Sequence, residues 1–80
     1  LIMRDITIEE LRQCDGIQTS CTWIAYKGTV YDVSHSELFA HGKHYNHRCG
    51  ADLTDAMAKA PHVEALIYRF PVVGKLIPVS

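Results

Sequence analysis

The 80-residue sequence contains no apolar run approaching the roughly 18 residues of a membrane span, and no signal-peptide pattern opens it. It therefore reads as a soluble domain, placed in the cytoplasm. It also lacks an excess of charge. Eight Lys and Arg face nine Asp and Glu, a net charge of -1 with the signs interspersed, so a phosphate backbone would find no basic stripe and a nucleic-acid partner is excluded. Cysteine is sparse and odd in number: Cys14, Cys21 and Cys49 cannot close a disulfide framework and read as reduced, partly buried thiols. No Cys-x-x-Cys-His occurs, which rules out covalent c-type haem attachment. Repeats, low-complexity tracts and internal linkers are missing too, so residues 1–80 are expected to form one domain, acting as a monomer. The chain begins at Leu1 and ends in an apolar GKLIPVS, which leaves open that it is one soluble domain of a longer protein.

At this size an apolar core alone supplies about 3–5 kcal/mol of net stability, so a cofactor, metal or partner would help. The sequence has local order to offer. Thr7 followed by Glu10 matches a capping box for a short helix through Cys14, ended by Gly16. The β-rich runs Thr22 to Tyr26 and Thr29 to Val33, joined by Lys27-Gly28, predict a hairpin. From His35 to Gly50 the helix formers Glu37, Leu38, Phe39 and Ala40 are interrupted by Gly42, predicting two short helical turns. Asp52 is a good N-cap for a helix whose stripe is Leu53, Met57 and Ala60, ended by Pro61 just short of His62. Val63, Leu66, Ile67 and Phe70 form the stripe of a second short helix, and the β-branched residues after Pro71 can return to the sheet. The expected fold is α+β: a small mixed sheet drawn from both ends of the chain, with two helical hairpins inserted between its strands and enclosing a cleft.

Three of the five histidines, His44, His47 and His62, fall at the turns of those hairpins. His35 and His41 read as solvated polar side chains. A zinc site from His44, His47, Cys49 and His62 has acceptable ligands, but His-x-x-His-x-Cys matches none of the common zinc spacings. A Cys49–His47 nucleophile pair lacks an orienting third group. A haem held between imidazoles from opposite walls of an apolar slot fits better, because the iron of a planar macrocycle has two axial positions on opposite faces. The walls would be Leu38, Phe39, Tyr45, Leu53, Met57, Ala60, Leu66 and Val73. Burying on the order of 400 Å² of apolar surface there would contribute about 10 kcal/mol before entropy is deducted.

The stretches ITIEEL, WIAYKGTVYDVS, CGADLTDAMAKAPH and FPVVGKL together resemble the cytochrome b5 family, and most closely a short bacterial branch of cytochrome b5-like haem/steroid-binding domains. The resemblance covers most of the chain. CGADLTDAMAKAPH is similar to the family's Ala-Gly-x-Asp-x-Thr segment that leads to the second axial histidine, which implies that role for His62. The usual His-Pro-Gly-Gly motif is absent, and the stretch from Asp32 to Gly50 is slightly shorter than in ordinary cytochromes b5. By alignment His44 is the favoured first ligand, followed by His47, lining the pocket, and then His41. Steroid-binding relatives use a tyrosine from this region, and Tyr45 aligns with it.

What the resemblance implies is a non-covalent haem b, bis-histidine ligation and electron transport to a redox partner protein, without enzymatic activity of its own. The alternative is a small-ligand-binding or haem-sensing module with one weak axial ligand. An acidic rim for docking is implied as well, but Lys43, Arg48 and Lys59 interleave with Glu37, Asp52, Asp55 and Glu64, so the partner's charge is left open.

Overall fold

The computed structural model describes residues 4–36, 43–44, 47–58 and 61–77, with the backbone alone at 43, 44, 47, 48, 61 and 62. The elements run β1 (Arg4–Ile6), α1 (Ile8–Gln13), β2 (Trp23–Tyr26), β3 (Thr29–Asp32), β4 (Lys43–His44), β5 (His47–Arg48), α2 (Thr54–Met57), α3 (Pro61–Ile67) and β6 (Val72–Leu76).

The capping box is present. Thr7 Oγ1 accepts from the Glu10 amide at 3.1 Å while the Thr7 amide donates to Glu10 Oε1 at 3.3 Å, and the non-helical Cys14 closes the other end of α1. The hairpin forms as expected between β2 and β3. Lys27 (φ 49°) and Gly28 (φ 82°) both adopt left-handed backbone, as a two-residue turn that follows the strand twist requires. The run after Pro71 does return to the sheet as β6, between β1 and β3, giving the order β1-β6-β3-β2 with β1 and β6 parallel and the other pairs antiparallel.

Alternation along the strands buries the sheet on both faces. Ala25 and Val30 are cross-strand partners that join Ile6 and Leu11 under α1. Ile24 and Tyr31, one residue along each strand, point to the other face and join Tyr26, Val33, Cys49, Leu53, Met57, Val63 and Ile67. The α1 and α3 core stripes are thus laid against opposite sides of one sheet.

Three expectations need correction. His44 and His47 do not fall at the turn of a helical hairpin: their backbones are directly paired in the two-stranded ladder β4–β5. Antiparallel pairing satisfies backbone groups that a helix interrupted by Gly42 would leave unpaired. The helix after Asp52 is one turn only, with Leu53 at its N-cap and Ala58 at its C-cap, and it stops before Ala60. Pro61 opens α3 instead of merely ending its predecessor, so His62 lies within the helix rather than at a corner outside it. Proline suits a first helical position because its missing N–H would have no intrahelical partner there. The predicted turn over Glu37 to Ala40 lies outside the described residues.

Candidate functional site

The segment that carries Leu53 and Met57 is pinned along β2 by backbone bonds. Ala25 N–H donates to Ala51 O at 3.0 Å and Leu53 N–H to Ala25 O at 2.8 Å, a parallel bridge centred on Ala25 and Asp52. Just before it, Gly50 N–H donates to Trp23 O at 2.7 Å. Gly50 has φ 74°, and a Cβ there would meet Asp15 Cβ and Leu11 O at 3.0 Å each, so only glycine lets this strand-like run approach α1 so closely.

Asp52 acts differently from a helix cap. Its Oδ1 accepts from Thr54 N–H at 3.0 Å and from Thr54 Oγ1 at 2.6 Å, forming a turn ahead of α2, and the Thr54 hydroxyl in turn accepts from Lys27 N–H at 2.8 Å. The hairpin turn and the start of α2 are thereby joined through one side chain. This fixes the rotation of a helix too short to hold its own direction, and it turns Leu53 and Met57 inward, 4% and 3% exposed.

A second polar tie holds α3. Glu64 Oε1 accepts from Tyr68 OH at 2.7 Å and lies 3.2 Å from Lys27 Nζ. The Tyr68 hydrogen bond first, and then Lys27, keep the Glu64 carboxyl below the usual carboxylate range, while the same bond pushes the Tyr68 phenol up. Tyr68 meets the Tyr26 ring edge-on at 6.0 Å and Tyr31 at 6.3 Å. Lys27 thus reaches α2 through its amide and α3 through its amine. Of the acidic residues assigned to a docking rim, Asp52 and Glu64 are already engaged in these two ties.

Leu53 and Met57 come together in the cluster on this face, as expected of two wall residues. Leu66 is half-buried on α3. Val73 does not join them. A bulge between Val30 and Tyr31 pairs Val30 with Gly74 and Tyr31 with Val72, so Val73 is the extra residue and packs with Ile6, Leu11, Ala25 and Val30 on the α1 side. Leu38, Phe39, Tyr45 and Ala60 lie outside the described residues, as do the side chains of His44, His47 and His62. Three residues not assigned to the wall, Val63, Ile67 and the half-buried Phe70, pack in the same cluster. Their shared helical stripe was visible in the sequence and is the signal that marks them.

Cys49 is a core residue, 3% exposed, and burial first, with a smaller contribution from the Asp15 charge, pushes its thiol up to about 11. A thiol so strongly held in its neutral form is a poor zinc ligand or nucleophile. Among the described residues Thr22 is the one buried polar side chain, and no ionised group enters the cluster of Leu53, Met57, Val63 and Ile67. An apolar cluster of this kind would back a large apolar macrocycle, and imidazole nitrogen suits the iron of one.

The cytochrome b5-like Heme/Steroid binding domain family matches residues 7–77. The chain belongs to that family. Two solved archaeal structures are similar over nearly its whole length. A cytochrome b5 domain protein from Hadesarchaea YNP_N21 is 43% identical with a TM-score of 0.85, covering 94% of this chain and 100% of its own. One from Methanococcoides burtonii is 41% identical with a TM-score of 0.83, covering 94% and 99%. Protein vem-1 of Caenorhabditis elegans is 38% identical over 58 residues, which is 71% of this chain; the chain spans 32% of the length of that curated relative. The cytochrome b5-like fold, a mixed four-stranded sheet with short helices, is therefore established for this domain. No helix among the described residues is long and apolar enough to cross a membrane.

Proposed function

We propose that this cytochrome b5-like domain binds haem b non-covalently and carries single electrons to and from a redox partner protein, with His62 and His44 as the axial pair. The observation that carries the reading is the α2–α3 face of the sheet, where Leu53, Met57, Val63 and Ile67 form a buried apolar cluster free of ionised side chains among the described residues. A bound haem would supply a one-electron couple at its iron.

The chain's own residues supply the setting. Leu53, Met57, Val63 and Ile67, with Leu66, Leu38, Phe39 and Ala60 completing the walls, exclude water and lower the local polarity, which sets how strongly a change of charge is opposed. Val73 has no part in the wall, since its place is on the α1 side. Thr54 and the Lys27–Glu64 pair keep α2 and α3 against the sheet. His62 leads directly into Val63, so the ligand and the wall belong to one helix. Two imidazole nitrogens leave no position for an exogenous ligand, which favours a carrier over an enzyme. His47 follows His44 in preference, then His41 and Tyr45. Docking by a partner needs only a small interface at the rim of the site, and the domain works as a monomer.

A specific observation keeps a second reading in view. The family includes steroid binders, and this sequence lacks His-Pro-Gly-Gly, so a small-ligand-binding or haem-sensing module with one weak axial ligand is the alternative. Absorption spectra separate the two. For the carrier, the reduced chain reconstituted with haemin shows a low-spin spectrum with a sharp α band that carbon monoxide leaves unchanged. His62→Ala and His44→Ala each lose it, and His47→Ala keeps it. Rapid carbon monoxide binding by the unsubstituted chain would favour the sensing module, and failure to develop a Soret band would overturn both.

A further inference from the structure

Two thiols meet at the turn between α1 and β2, away from the apolar face described above. Asp15 and Thr22 form an isolated antiparallel bridge, flanked by Trp23 N–H donating to Cys14 O and Gly16 N–H donating to Cys21 O, both at 2.9 Å. Cys14 therefore lies opposite Trp23, and Cys21, two residues before Trp23, projects from the same side. The pair is diagonal across the bridge, where Cα atoms stand roughly 7–8 Å apart, just beyond the usual disulfide span, so closure requires the turn to contract. Cys14, the C-cap of α1, has non-extended backbone with φ -96° and ψ 63°, and its N–H and C=O are bonded to Leu11 O and Trp23 N–H, so closure draws the α1 end and the start of β2 together. Both thiols are partly exposed, whereas Cys49 is buried.

We propose that Cys14 and Cys21 are a reversible dithiol–disulfide site, oxidised by exchange with a small-molecule disulfide, that locks the α1–β2 turn. In the first step the Cys14 thiolate attacks one sulfur of the small disulfide, forming a mixed disulfide and releasing one small thiolate. Cys21 then gives its proton to solvent, and its thiolate attacks Cys14 Sγ, expelling the second small thiolate. Two protein thiols are oxidised to one disulfide, and one small disulfide is reduced to two thiols. Burial first, and then Cys14, push the Cys21 thiol up to about 12, so Cys14 makes the first attack and closure by Cys21 is the slower step. The locked turn would also bear on the site segment, because Asp15 lies against Gly50.

The test is to treat the reduced chain with oxidised glutathione and count thiols by alkylation under denaturing conditions and mass spectrometry. The expected product has lost the mass of two hydrogens, stays monomeric, carries alkyl label only at Cys49 and recovers all its thiols with dithiothreitol. Cys14→Ser and Cys21→Ser each stop at a single glutathione adduct, while Cys49→Ala still closes. The closed form melts about 5–10 °C higher than the reduced form. Two glutathione adducts on the unsubstituted chain, a link between chains, or full retention of the thiols would overturn the site, and an unshifted melting temperature would overturn the lock. The outcome is the same with or without haemin, so it stands or falls independently of haem binding.

Discussion

On the α1 side of the sheet, Ile6, Leu11, Ala25 and Val30 are completely shielded, and the helix that covers them carries both halves of a capping box plus an ion pair from Glu10 to Arg4. On the other side the cover is a four-residue α2 and a seven-residue α3, positioned by side chains that reach across to the hairpin turn: Thr54 to Lys27 N–H, and Glu64 to Lys27 Nζ. The first face is finished by the chain alone. The second is assembled from pieces too short to be stable as isolated helices, tied down at their rims and apolar within. The two faces thus divide the work: one supplies stability by itself, and the other, on the proposed reading, keeps a shape that a cofactor would complete.

That division can be broken by substitution. Leu11→Ala leaves a cavity in the face that has no other support, and a loss of about 3–5 kcal/mol in urea unfolding is expected, enough to unfold most of an 80-residue chain. Met57→Ala on the opposite face is expected to cost about 2–3 kcal/mol, because a one-turn helix can relax into the space. Haemin should restore much of the Met57→Ala loss by mass action on the folded state. Equal costs with no response to haemin would show that the two faces are alike.

Thr54→Val tests the rim. It removes an acceptor from Lys27 N–H and a donor to Asp52, and about 1–2 kcal/mol of stability should go with it, together with weakened haemin affinity. Loss of stability with unchanged affinity would mean that the tie does not shape the site.

The smallest effect concerns the turn under α1. Asp15 Oδ1 accepts from the Gln18 and Ile17 amides at 2.8 Å each, and those bonds, Gln18 first, hold its carboxyl below the usual carboxylate range. A carboxyl depressed in the folded state contributes stability that is present above its unfolded pKa, and this is lost as pH falls through the folded value. Asp15→Asn should therefore flatten the acid limb of the stability curve below about pH 4 and leave neutral pH nearly unchanged. An unaltered acid limb in thermal melts would remove Asp15 from the account.

The same contrast explains what could be read from the sequence. The α1 side is local chemistry: Thr7 and Glu10 stand three apart, Lys27-Gly28 is a turn dipeptide, and the strand alternation follows from the residue types. These signals need no partner distant in sequence. The site segment depends on distant partners. Asp52 looks like a helix cap until the Ala25 bridge claims its backbone, and Gly42 looks like a break between helical turns, while the following residues pair as β4 and β5. Val73 belongs to an alternating run, so nothing local reveals the bulge that carries it to the other face. Leu53 and Met57 were legible because their spacing alone defines one side of a helical turn. Val63 and Ile67 carried the same kind of stripe, and their place in the cluster followed only from how α3 lies on the sheet.

The central claim, that one face receives the cofactor and the other does not, is tested most directly by methyl NMR during a titration with haemin. The account predicts that the methyl resonances of Leu53, Met57, Val63 and Ile67 shift strongly up to one equivalent, while those of Ile6, Leu11, Val30 and Val73 stay close to their starting positions. Strong shifts on the α1 face, or a spectrum that haemin leaves untouched, would contradict it.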